Sequence, residues 1–244
     1  MYNPNQSSDF SRNLDRFQGK FENPYGPELG DMPQNEMTQA DMENVNKTGT
    51  TIVGMVTQDG VVMASDQRAS LGGRVVSNKN VQKVEEIQPN AAITISGSVG
   101  GAQSFIRSLR AEANLYEARR GEYMNIPALS TIASNLLRGG PFFVVVPILA
   151  GVDDDGGHVF SLDPSGSSME DKYTAQGSGM PYALGTLENE FEDGMTTDEA
   201  VTVGAKAINA ATERDTASGN GIHITKITRE NVEISAYEDV DELL

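Results

Sequence analysis

The chain has 244 residues, no cysteine, and 35 acidic against 18 basic side chains, for a formal charge of −17. Without cysteine there is no disulfide, no thiol nucleophile and no thiolate metal site. A field of this sign opposes nucleic acid, whose phosphates need basic neutralisation, and it suits a salt-rich cytoplasm that screens self-repulsion.

Residues 1–49 are rich in Pro, Asn, Gln, Ser and Asp, with aromatics at no fixed period. That composition predicts a disordered or weakly ordered prefix, either a floppy terminus or a removable pro-segment. It lacks the basic and apolar regions of a secretory signal, and the protein is read as cytoplasmic. From Thr50 the character changes. The run TTIVGMVTQDGVVMASD holds two β-rich stretches around QDG, a hairpin turn signal. GRVVSNKNVQKVEEI and NAAITISGS supply further strands. SFIRSLRAEANLYEARRGE, residues 104–122, sets Phe105, Ile106, Leu109, Ala113, Leu115 and Tyr116 along one side of a helix. IPALSTIASNLLR is a second helix, with Pro127 tolerated in its first turn.

Strands then return in FFVVVPILAGVD, HVFSLDPSG and EDKYTAQGSG, the first two joined by a turn at DDDGG. The apolar stretch 141–150 is broken by Pro147 and fits a buried strand better than a membrane span. Two more helices follow, MPYALGTLENEF and TTDEAVTVGAKAINAATERD, the latter opening on a capping-box pattern. IHITKIT and NVEISAY are the final strands. Strands, two helices, strands, two helices and strands predict an α+β domain over 50–244. Its economical arrangement is a four-layer αββα sandwich, two antiparallel sheets between helix layers.

Common catalytic signatures are missing: no G-x-S-x-G elbow, no phosphate-binding P-loop and no H-E-x-x-H. His158 and His223 each fall inside a strand-like run and read as packed or surface residues. DDDGG reads as a solvated turn, since no second cluster has matching metal-ligand spacing. Thr50 remains. Cleavage after Gly49 would give one residue both a hydroxyl and a free amine, a recognised way to activate threonine. An α-amine has a reference pKa near 8, so a neighbouring lysine would help to keep it unprotonated. Gly49, without a Cβ, admits the tight turn that lets the Thr50 hydroxyl reach the preceding carbonyl.

Taken in order, GTTIVGMVTQDGVVMASDQRAS, VQKV, ITISGSVGGAQ, YTAQGSGMPYALG and ERDTASGNGI resemble the β subunits of archaeal 20S proteasomes. The resemblance runs from Thr50 to about Ile234, and the acidic composition suggests a haloarchaeal source. It implies the N-terminal-nucleophile hydrolase fold and a threonine-type endopeptidase matured by autocatalytic removal of residues 1–49. By motif, Thr50 is the nucleophile, Asp66 pairs with the catalytic Lys83, and Gly97 gives a backbone N–H to the oxyanion. Asp215 and Ser218 support the threonine amine, and Ser178 closes that network. Ala69, Val81, Ile95 and Val99 line an apolar specificity pocket with Glu85 near its rim. Ser70 and Gly97 offer main-chain hydrogen bonds to an extended substrate.

The segment SLGGRVVSNKNVQKV is one residue longer than the family pattern, which makes Lys79 the competitor of Lys83. Lys83 is favoured because the following Val-Glu-Glu-Ile continues the motif, with the extra residue absorbed by a bulge or longer turn at Gly72-Gly73. The family also implies partners: α subunits, other β subunits in stacked seven-membered rings, a regulatory AAA ATPase docked on the α rings, and unfolded protein substrates. No cofactor, metal, nucleic acid or membrane is implied. Competing readings are the bacterial two-ring threonine protease, an inactive ring subunit, and an amidase acting on small molecules.

Overall fold

The computed structural model describes residues 49–244 apart from Gly72, Pro141 and Phe143, so the expected loose prefix lies outside the described residues except for Gly49. In β1 (Thr51–Val56) and β2 (Val61–Asp66) the side chains alternate faces, as the two-residue period of a strand requires. Val53, Met55, Val62 and Ala64 enter one apolar cluster, whereas Ile52, Val61 and Met63 enter another. Strands buried on both faces must lie inside a layered molecule. The QDG turn joins the pair, with the Thr57 N–H donating to Gly60 O.

One sheet runs β10 (Tyr173–Gly177), β1, β2, β11 (Ile222–Ile227), β12 (Val232–Tyr237). The other runs β5 (Val84–Gln88), β6 (Ala91–Gly97), β7 (Val145–Asp153), β8 (Gly156–Leu162), β9 (Ser168–Glu170). Every described pairing is antiparallel. Ile52, Met63, Ala92, Ile148, Ala150 and Val159 form the dry layer between the sheets. Helices α1 (Val99–Arg120) and α2 (Ile126–Gly139) cover the outer face of the second sheet. Helices α3 (Met180–Glu190) and α4 (Thr197–Thr212) cover the first. The four-layer αββα sandwich expected from element order is the observed architecture.

Local chemistry explains the helix limits. Thr196 and Glu199 form a reciprocal capping box that starts α4. The buried face of α4 carries four alanines and Gly204, where an added Cβ would stand 3.0 Å from Met55 Cε. Small residues there let the helix lie close on the sheet. Helix α1 begins at Val99, five residues before the predicted start, because the Ser98 side chain caps it across Gly100 and Gly101. Its buried stripe holds Phe105, Ile106, Leu109 and Ala113, while Leu115 falls outside the core cluster. The strand predicted from Phe142 begins at Val145. Phe142 instead packs edge-on against Phe105, with ring centroids 5.5 Å apart.

A short ribbon of β3 (Ala69–Leu71) and β4 (Val75–Asn78) follows β2. The expected turn between them is present, closed by the Arg74 N–H donating to Leu71 O, and a register irregularity falls between Ala69 and Ser70. On the far side of the second sheet, His158 bonds Glu170 through Nδ1 and Asp153 through Nε2. Asp153 in turn caps the Ile126 N–H at the start of α2. The Phe105–Phe142 pair closes the helix side of the second sheet. Phe105→Ala is therefore expected to destabilise the chain by about 3–5 kcal/mol, read as a lower midpoint in denaturant unfolding at fixed salt.

Candidate active site

Thr50 stands immediately before β1 and is almost wholly buried. The chain is continuous from Gly49 into Thr50, and the approach is tight. A Cβ on Gly49 would meet Ala217 Cβ at 2.1 Å and Ser178 Oγ at 2.8 Å. The glycine is needed here for close packing against the loop ahead of β11, a reason distinct from the turn expected of it.

Asp66 ends β2 beside Thr50, with no exposure to water. Its Oδ1 accepts from Thr50 Oγ1 at 2.7 Å, from the Thr51 N–H at 3.0 Å and from Lys83 Nζ at 2.5 Å. Its Oδ2 accepts from the N–H groups of Arg68 at 3.1 Å and Gly219 at 2.9 Å. Lys83 precedes β5 in the opposite sheet, and its Nζ also touches Thr50 Oγ1. Burial pushes the Lys83 amine below the usual lysine range, against the opposing pull of the Asp66 charge. Lys79, the competing candidate, is exposed on the loop after β4. The register question is thus answered in space: Lys83 is the lysine that reaches Thr50.

A second cluster lies on the backbone side of Thr50. The Thr50 N–H donates to Ser178 Oγ at 3.1 Å. Ser178 Oγ in turn donates to Asp215 Oδ2 at 2.6 Å, and Ser218 Oγ donates to the same oxygen at 2.7 Å. Thr51 Oγ1 lies 2.8 Å from Ser218 Oγ, so the second threonine of the pair ties this cluster to β1. Thr50, Asp66, Lys83, Ser178, Asp215 and Ser218 therefore form one connected network around a single hydroxyl and a single backbone nitrogen.

Beside Thr50 opens a pocket of about 130 Å³. That is close to the size of an engineered cavity that admits benzene, so a medium apolar side chain fits. Ala69, Val81, Ile95 and Val99 line it as expected, together with Gly97 and Glu85. Ser70, expected to offer main-chain hydrogen bonds, follows Ala69 in β3 with its side chain buried, and pairs with Val76. Gly97 has φ 110°, and a Cβ there would fall 1.7 Å from Val144 O, so only glycine fits this end of β6.

Sequence reasoning missed Gln103, which lines the pocket, and Arg68, which also binds Asn220 Oδ1 and Thr216 O. Arg68 lies in the ASDQR run, two residues beyond the acid, and that spacing was its signal. His223 is buried in β11 and its Nδ1 has no partner among the described residues, so it holds neither a serine nor an acid. No group of three or more His, Cys, Asp or Glu side chains among the described residues is placed to hold a metal ion. Removing Asp66 leaves Lys83 as an unpaired buried cation. Asp66→Ala is expected to cost about 3–5 kcal/mol in unfolding free energy, measured against the unchanged chain at the same salt.

Residues 46–227 match the family described as proteasome subunit. The protein named proteasome subunit beta of Halobacterium salinarum is 70% identical over 244 residues, all of both chains. Proteasome subunit beta 1 of Haloterrigena turkmenica is 60% identical over 241 residues, 99% of each chain. Proteasome subunit beta 2 of the same organism is 56% identical over 227 residues, 93% of this chain and 96% of its own. The sandwich and the network at the head of β1 thus sit within an end-to-end likeness, and the chain belongs to the proteasome subunit family.

Proposed function

We propose that this chain is a β-type subunit of the proteasome core particle, a threonine endopeptidase activated by cutting its own backbone between Gly49 and Thr50. The observation that carries the reading is the contact of Thr50 Oγ1 with both Lys83 and Asp66. In the continuous chain the Thr50 nitrogen is an amide and cannot act as a base. Lys83 is the basic group touching the hydroxyl, and its lowered pKa makes the neutral amine accessible. It takes the proton as Oγ1 attacks the Gly49 carbonyl carbon. The peptide C–N bond then breaks, the Thr50 nitrogen leaves as an amine, and water hydrolyses the resulting ester.

The released amine emerges against Ser178, whose oxygen already accepts from that nitrogen. Asp215 and Ser218 hold Ser178 in place and orient the amine beside its own hydroxyl. For an incoming peptide, the amine takes the Thr50 hydroxyl proton while Lys83 and Asp66 keep the local field favourable. Gly97 supplies the backbone donor to the oxyanion, a contribution of about 3–4 kcal/mol. The apolar pocket receives the side chain next to the attacked carbonyl.

Rings of seven with other β subunits, flanking rings of α subunits and a docked ATPase feeding unfolded chains complete the reading. Self-cleavage within such a ring would keep the peptidase silent until it is enclosed. No helix among the described residues is long and apolar enough to cross a membrane.

Terminal sequencing of the assembled particle should find mature chains that begin at Thr50; a particle that digests protein with its leader intact overturns the reading. Thr50→Ala should leave the leader attached and abolish peptide hydrolysis. Lys83→Arg keeps the charge but never yields a neutral base, so self-cleavage should slow by about 10²–10⁴-fold. The neutral fraction of Lys83 grows as pH rises. Precursor cleavage, followed by intact mass, should therefore accelerate with pH and level off below the usual lysine value of 10.5.

A further inference from the structure

The pocket beside Thr50 has apolar walls, and three charged residues stand in its lining: Arg68, Lys83 and Glu85. Lys83 is committed to Asp66 and Thr50, and Arg68 to Asn220 and Thr216. Among the described lining residues, Glu85 is the one acid, and no basic group of the lining is bonded to it. Its partner comes from outside. Arg110, on α1, places Nη2 3.3 Å from Glu85 Oε2. Arg110 is anchored independently, with Nε donating to Glu86 O at 3.0 Å. Its cation therefore stays beside Glu85 without relying on the ion pair.

Both side chains are about two-fifths exposed, at 38% for Arg110 and 40% for Glu85. A pair this accessible to water contributes little to stability, so its role is better sought in the charge it presents. We propose that Glu85 and Arg110 together set the side-chain specificity of the pocket, Arg110 cancelling a carboxylate that would otherwise recruit basic residues. The inference rests on the reading that Thr50 attacks the carbonyl next to the side chain held in this pocket.

With both residues present, the Glu85 carboxylate is cancelled and the apolar walls decide. Aliphatic and aromatic side chains are then accepted, and charged ones of either sign lack a desolvated partner. Remove the arginine and a lone carboxylate faces the entering side chain, which favours Lys or Arg. Remove the carboxylate and the anchored cation favours Asp or Glu. Discrimination of this kind works through repulsion as much as attraction.

The test uses assembled particles and three fluorogenic peptides that carry Leu, Arg or Glu before the reporter. In Arg110→Met, the kcat/KM ratio of the Arg peptide to the Leu peptide should rise by about tenfold. Glu85→Gln should instead raise the Glu-to-Leu ratio by a similar factor, and the double variant should lose both gains. The proposal is overturned if Arg110→Met moves its ratio by less than about twofold, or if the double variant keeps the gain. Should Arg110→Met fail to assemble, Glu85→Gln alone decides, an unchanged Glu-to-Leu ratio counting against the pair. Unmodified particles that turn over none of the three peptides would instead count against Thr50 as nucleophile.

Discussion

A carboxylate sealed from water is costly unless donors surround it, and Asp66 has five within hydrogen-bond distance. Three are backbone N–H groups, from the first residue of β1, from the turn after β2, and from the loop that leads into β11. Satisfying one charge thus fixes the ends of neighbouring strands relative to each other. The remaining two are the hydroxyl of Thr50 and the ammonium of Lys83. Since Lys83 belongs to the opposite sheet, the same carboxylate also sets the spacing between the two sheets where the pocket opens. The position of the Thr50 hydroxyl against an amine is a by-product of that electrostatic requirement.

The second cluster works by different means. Asp215 is only partly buried, and it is held through serine hydroxyls and its own loop, the Ala217 N–H donating to Oδ1 at 3.2 Å. Close backbone approaches make this possible. At Gly179 a Cβ would lie 1.9 Å from Thr51 Oγ1, and at Gly49 the neighbour is Ala217. Glycines on both sides of the threonine pair let three separate chain segments converge within contact distance. Any side chain there would push the serine away from the Thr50 nitrogen.

Much of this was legible in the residues. The runs TTIVGMV and VVMASD around QDG announced a hairpin, and the order of strands and helices announced the layers; that the hairpin is buried on both faces is seen only in the structure. The capping pattern at Thr196–Glu199 located a helix start, because the chemistry of a cap is local. The motif residues around Thr50 came together because each stands at an element end, where a short quoted run carries its position. Long-range facts were hidden. Nothing in SFIRSLRAEANL says that Arg110 reaches Glu85, twenty-five residues earlier, since that contact depends on how α1 lies across β5. The start of α1 was obscured by Gly100 and Gly101, whose low helix propensity is outweighed by the Ser98 cap. Ser70 was placed by the resemblance as a main-chain donor or acceptor, and the burial of its side chain in β3 could not be read from the run.

Ser178 accepts from the Thr50 nitrogen while that nitrogen is part of the backbone, so on the proposed reading the cradle for the amine is built before there is an amine to cradle. On the proposed reading, the dormant and working forms then share one set of walls. Dormancy is stored in a single bond and not in a misshapen cavity, which makes awakening a one-way event with no reverse setting. An enzyme of this kind has no means of being switched off again except by barring the door to its chamber.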